Sequence, residues 1–376
     1  MFTLKNMKKM AEKHHFFFNN IPMIHVGGTN GKGSVCAMLS HILSKEYTVG
    51  LYTSPYDQVR FDNIYVQDKP VDPHVISEVL KAYEADFQQF GLSEFEIDTW
   101  VALAIFHQKN VDYAVIEVGL GGEDDATNII TPILSIITNI GMDHQDVLGK
   151  TRMQIATKKA GIIKPGVPIV IGPNMHKDAR KVIKDVAIHH QSPFNQARFL
   201  KEDFFETIHY QKENIATVIS ALNILKHPVS NHAIMLGLRD PIMPKRFQIV
   251  SEKPWVVLDA AHNLEGTLAL IQTLKTCQKT DDLVIIFSIL KDKPYEKMIE
   301  TYQTISDALW FIPFEHPRAL KPNSLDEKKI QQLDSIQDAI QCMLNHPEKN
   351  YVMTGSLYFL RDIYPHIKGV FNHGKE

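Results

Sequence analysis

The chain has 376 residues, with 40 Lys and Arg against 43 Asp and Glu, a formal charge of −3, and 44% hydrophobic residues. That length accommodates two or three domains, each with its own core, and the near-neutral charge excludes a polyanion-binding surface as the main function, so no nucleic-acid partner is expected. Cys36, Cys277 and Cys342 are an odd number with no CxxC pair, which excludes a disulfide framework or thiolate metal site and fits a reducing, cytoplasmic compartment.

No run approaches the roughly eighteen apolar residues of a membrane span. The Phe16-Phe17-Phe18 cluster is too short for a signal peptide. In chain order, short β-branched runs alternate with helix-like stretches, the pattern of a parallel sheet with crossover helices. Residues 23–26 read as a strand, followed by Gly-Gly-Thr-Asn-Gly-Lys-Gly-Ser and an amphipathic stretch over 35–43. Residues 47–53 form a second strand that ends at Ser54-Pro55. A third, 111–119, runs into Leu120-Gly121-Gly122, and a fourth, 133–141, leads to Met142-Asp143-His144. A helix over 151–160, stopped by Gly161, and a strand over 168–171 complete this half. Ligands of an open parallel sheet bind outside the carboxyl ends of its strands. Four successive strand ends here carry Lys32, Ser54, Glu117 and His144.

Residues 237–244, Gly-Leu-Arg-Asp-Pro-Ile-Met-Pro, read as a linker. Two domains follow from it, 1–240 and 245–376. In the second, strands are expected over 255–258, 283–290, 310–313 and 351–354, the first ending in Asp259-Ala260-Ala261-His262-Asn263.

Residues 27–34 lie directly after a strand and before a helix, the context a phosphate-binding loop requires. Glycines let backbone N–H groups turn toward an anion, the helix adds its positive N-terminal dipole, and Lys32 supplies a cation. The strict GxxxxGK[ST] pattern fails twice, at Val26 and at the inserted Gly33. Glu117 is the one charged residue in the run 113–120. A buried lone carboxylate needs a partner or a metal, and magnesium on a phosphate needs only one or two protein oxygens, such as Glu117 and Ser54. His144 reads either as a hydrogen-bonded turn residue or, if its strand neighbours that of Glu117, as a ligand. Lys159, with Lys158 beside it, reads from spacing as half of a solvated pair at a helix C-terminus.

The runs GTNGKGS, EVGLGGEDDATN, ITNIGMDHQDVLGKT and KKAGIIKPGVP, followed by RFQIV, LDAAHN, ILKDK, HPRAL and TGSLYFL, resemble the folylpolyglutamate synthase/dihydrofolate synthase family of the Mur ligase superfamily. The resemblance implies an α/β fold with an N-terminal P-loop NTPase-like Mur ligase central domain and a smaller C-terminal Rossmann-like α/β domain. It implies that Thr29, Asn30, Gly31, Lys32, Gly33 and Ser34 wrap the ATP phosphates. Ser54 and Glu117 would hold one magnesium ion, Glu117 and His144 a second. Lys159 matches a lysine that carries a carbamate (N6-carboxylysine), and so implies an anion there. Asn214 would contact the adenine side, Arg246 the phosphates, and Asp259 the nucleotide with His262 beside it. The implied reaction adds L-glutamate to a pterin carboxylate, dihydropteroate or a reduced folate, through an acyl phosphate, on a monomer.

Two departures from the family pattern leave other functions open. Glu123 stands where the family usually has Arg, which would either perturb nearby carboxylates or stay solvated. His14 to Phe18 replace the usual Leu-Gly-Asn-Pro, and the phenylalanines either stack a pterin or pack behind the sheet. The preceding N-terminal helix reads as missing and the chain as short. These departures motivate a ligase for a non-folate carboxylate acceptor, or a non-catalytic ATP- or folate-binding paralogue.

Overall fold

A computed structural model describes residues 4–199, 209–225, 229–239, 245–325 and 329–371. The described residues divide into two compact units, 4–199 with 211–239, and 245–371.

In the first unit, α1 (Lys5–Lys13) leads to β1 (Met23–Gly27), α2 (Lys32–Leu43), β2 (Val49–Tyr52), β3 (Ile64–Val66), β4 (Lys69–Pro70), α3 (Pro73–Phe90) and α4 (Glu94–Gln108). Then come β5 (Tyr113–Glu117), β6 (Leu134–Ile137), α5 (Gln145–Leu148), α6 (Arg152–Ala160), β7 (Ile169–Ile171), α7 (Lys177–His189), β8 (Phe194–Gln196), α8 (His209–Leu222) and α9 (Asn231–Arg239). The sheet order is β4-β3-β2-β5-β1-β6-β7-β8. Strands β2, β5, β1, β6, β7 and β8 are parallel, and the β3–β4 hairpin closes one edge antiparallel. Strands β1, β2, β5, β6 and β7 are buried throughout, which is why they read as unbroken apolar runs.

One face of the sheet packs on α1, α3 and α4, with Met10, Phe18, Trp100, Phe106 and Ile116 in one cluster. The other carries α6 and α7 through Ile137, Ile155, Ile169 and Ile183. Helix α4 is apolar all round because nine of its residues are buried. A Ser93–Glu96 capping box starts it, and Thr151 with Gln154 starts α6 in the same way.

Three expectations change here. The N-terminal helix is present as α1. Phe18 is fully buried, and Phe16 and Phe17, partly exposed, pack against the same core, with Phe17 5.3 Å from Trp100, the packing alternative of the two. Gly237 and Leu238 lie inside α9 and not in a linker; residues 240–244 fall outside the described residues.

In the second unit, β9 (Gln248–Glu252) and β10 (Trp255–Leu258) precede α10 (Leu264–Thr276), β11 (Leu283–Phe287), α11 (Tyr295–Tyr302), β12 (Ala308–Phe311), β13 (Gln331–Gln332), α12 (Ile336–Asn345), β14 (Asn350–Thr354) and α13 (Leu357–Phe371). The order is β13-β12-β11-β14-β10-β9, parallel except for β9. Apolar clusters cover both faces, the doubly wound arrangement expected of this half. No helix among the described residues is long and apolar enough to cross a membrane.

Gly237 faces α2 so closely that a Cβ would lie 2.6 Å from Ile42 Cα and 2.9 Å from its N. Glycine to alanine inside a helix ordinarily gains up to ~1 kcal/mol, but here backbone would have to move, an overpacking loss of about 1–3 kcal/mol. Gly237→Ala should therefore lower the denaturation midpoint of the first unit, followed by helical circular dichroism. A rise would contradict the packing.

Candidate active site at the carboxyl edge of the first sheet

The register fixes the site. Val26 stands level with Glu117 on one side of β1 and with Ile136 on the other, so the loop after β1 emerges between the ends of β5 and β6. Its residues are pinned by the segment after β6. Thr29 N donates to Asn139 O (3.0 Å), Asn30 N to Asn139 Oδ1 (2.8 Å), and Gly141 N to Thr29 Oγ1 (2.9 Å). Thr138 Oγ1 donates to Asn30 O at 2.6 Å. The Thr29 and Asn30 amides thus point at protein, and α2 starts at Lys32 rather than at Ser34. The amides that lack intrahelical partners, and so could receive an anion, belong to the first turn of α2. Gly31, at φ 80°, is the N-cap of α2, and a side chain there would strike Asn214. That contact places buried Asn214, whose Nδ2 donates to Gln211 Oε1 at 2.9 Å, against the loop.

Glu117, 4% exposed, accepts from the Ser54 amide at 3.2 Å and lies 4.0 Å from Lys32 Nζ. Lys32 Nζ also donates to Thr29 O at 3.4 Å. A Cβ on Gly33 would sit 3.4 Å from Glu117 Oε2, so the carboxylate borders the helix start itself. A buried carboxylate with a half-buried serine beside it suits a hard cation that takes its other ligands from phosphate and water. Among the described residues no group of three or more His, Cys, Asp or Glu side chains gathers into a self-sufficient metal site.

His144 lies in the segment that follows β6. Strand β6 ends at Ile137 and β1 lies between β5 and β6, so the two strands are not neighbours. His144 is the left-handed N-cap of α5, its side chain 41% exposed and 3.9 Å from Asp143.

The structure splits the lysine pair. Lys158 is solvated and bonds Glu123 (2.7 Å) and Asp124 (3.3 Å). Lys159 is 4% exposed and donates to Gly28 O at 2.8 Å. Burial, with Lys32 nearby, lowers its amine from 10.5 to about 7. Asp125, the third acid of the run, is buried and accepts from Leu120 N (2.7 Å) and from Thr127 N (3.0 Å) and Oγ1 (2.5 Å); burial raises its carboxyl pKa. Thr127 Oγ1 in turn lies 2.8 Å from buried His25 Nε2, whose pKa burial lowers to about 3. Sequence reasoning missed this His25–Thr127–Asp125 chain and the part of Asn139. Only the two polar residues inside otherwise apolar runs hinted at them.

In the second unit, Arg246 is a half-buried residue of the turn before β9. Asp259 Oδ2 accepts from Phe247 N (2.8 Å) and Oδ1 from Ala261 N (2.9 Å). His262 Nδ1 lies 2.8 Å from Ala260 O, and Asn263 caps α10 through Gly266 N.

Comparison with known proteins identifies the family and the fold. The Mur ligase middle domain model matches residues 26–236, and the Mur ligase, glutamate ligase domain model matches 245–357. The dihydrofolate synthase/folylpolyglutamate synthase of Bacillus subtilis (strain 168) is 35% identical, over 97% of this chain and 95% of its own. The folylpolyglutamate synthase of Lacticaseibacillus casei is 34% identical over 89% and 87%. The structure of E. coli FolC in complex with DHPP and ADP superposes with a TM-score of 0.90 at 28% identity, covering 98% of this chain and 94% of that one. An ATP-dependent ligase of the Mur type is thereby defined, and the chain belongs to its dihydrofolate synthase/folylpolyglutamate synthase family.

Because the Lys158 pairs are exposed, they contribute ~1 kcal/mol at most. Glu123→Ala should leave the KM for ATP within about twofold of the parent. A larger change would mean that this acid senses the nucleotide.

Proposed function

We propose that the protein adds L-glutamate to a pterin carboxylate, dihydropteroate or a reduced folate, with ATP giving ADP and phosphate, as a cytoplasmic monomer. The observation that carries this reading is the start of α2 opening beside the buried Glu117 carboxylate, with Lys159 beneath the loop. The family supports the substrate class. The departures that motivated other acceptors carry less weight, since Phe18 is a core residue against which Phe16 and Phe17 pack and Glu123 is solvated.

A carboxylate is a poor electrophile, so its oxygen first attacks the γ-phosphorus of ATP and ADP leaves. The glutamate amine then attacks the acyl carbon, and phosphate leaves to give the amide. No protein nucleophile is required. Catalysis is positioning and charge neutralisation: the first turn of α2 and Lys32 hold the phosphates, Asn214 the adenine side, and Arg246 adds positive charge. Glu117 and Ser54 would hold a magnesium ion and His144 is assigned to a second; magnesium supplies phosphate neutralisation when bound. Asp259 and His262 are assigned to nucleotide binding on family grounds.

Lys159 is assigned as a carbamate. Carbamylation needs the neutral amine, and burial makes half of it neutral near pH 7 where an exposed lysine stays charged to about 10.5. With 13C-bicarbonate, a carbamate NMR signal should grow from pH 6 to 8 and vanish in Lys159→Arg. A signal that survives the substitution, or none at all, removes the assignment.

The reaction itself is tested with ATP, magnesium, glutamate and each pterin acceptor, read by mass. A product one glutamate heavier is expected, with turnover reduced about a hundred- to a thousandfold in Glu117→Gln. Failure with every pterin would sink the proposal.

A further inference from the structure

The turn before β9 contains two unfavourable placements around one arginine. Lys245 and Phe247 have φ of 58° and 50°, a left-handed conformation that side chains with a Cβ rarely adopt. The Lys245 side chain is also fully buried, although a buried charge is expensive unless it is compensated. Both residues are anchored. Lys245 N donates to Gln248 Oε1 (2.9 Å), and Lys245 O accepts from Ala260 N (2.9 Å). Its Nζ lies 4.8 Å from the centre of the Tyr364 ring on α13, within cation–π range. Gln248 Nε2 donates to Tyr364 Oη at 3.3 Å, so one tyrosine holds the turn at two points. Phe247 N is held by Asp259, and its ring packs 6.1 Å from that of Trp255. Arg246, between the two anchors, is the half-buried member of the three. A turn that only had to enter β9 needs neither a lysine in a left-handed position nor a charge inside.

We propose that Lys245 is a positioning residue, whose buried contact with Tyr364 sets the direction of Arg246 and so the affinity for nucleotide phosphates. The proposal rests on the phosphate role of Arg246 given above.

The test uses the full chain and calorimetric binding of the β,γ-methylene analogue of ATP with magnesium, which requires no acceptor. Arg246→Ala supplies the reference. Lys245→Met and Tyr364→Leu should each weaken binding about tenfold, while Lys245→Arg, which keeps a cation over the ring, stays within about threefold of the parent. Lys245→Met combined with Arg246→Ala should bind no more weakly than Arg246→Ala alone. A merely structural lysine would give additive losses, which overturns the proposal, as do unchanged affinities in Lys245→Met and Tyr364→Leu beside a weakened Arg246→Ala. An unchanged Arg246→Ala removes the phosphate reading itself and the proposal with it. Should Lys245→Met not fold, Tyr364→Leu alone and combined with Arg246→Ala carries the same comparison.

Discussion

The hydrogen bond from the Lys159 amine to the Gly28 carbonyl, at 2.8 Å in a site with 4% exposure, ties the end of α6 to the start of the phosphate loop. An amine placed there must either lose its proton or acquire a compensating charge, because burial penalises the cation. The loop in turn has little freedom: Asn139 and Thr138 hold Thr29 and Asn30 from the far side. Between these two restraints, the first turn of α2 is left as the part whose amides have no intrahelical partner.

Charge at this site is local rather than global. Lys32 and Glu117 stand with opposite charge beside one helix start, and the chain's net −3 has no bearing on them. Glu117 tolerates burial because the Ser54 amide and Lys32 stand next to it. The acids of the following loop behave differently within three residues. Glu123 and Asp124 reach water and Lys158, whereas Asp125 turns inward to backbone amides and Thr127. One run of like charges thus divides between a solvated face and a buried network, as loop direction dictates. The second unit repeats the principle with other residues: the Asp259 carboxylate joins the Arg246 turn to the turn after β10, and so organises the loops at that sheet edge through backbone.

The sequence by itself determined the parallel architecture, since strands buried on both faces must be apolar throughout, and it located the glycine-rich loop between β1 and α2, because glycines, a lysine and a helix start are local features. It also singled out Glu117, the lone charge in a buried strand. It could not determine which of two adjacent lysines turns inward, since position on a helix end says nothing of what packs over it; the covering loop from Gly121 to Asp125 and β1 decided that Lys159 is buried and Lys158 is not. Likewise, strand order put β1 between β5 and β6, so the strands that lead to Glu117 and to His144 are not neighbours. Core packing buried Phe18 and drew Phe16 and Phe17 against the same cluster, and Gly237 lies in a helix, α9, closely packed on α2. In each case the deciding contact joins residues far apart in the chain, which local pattern cannot encode.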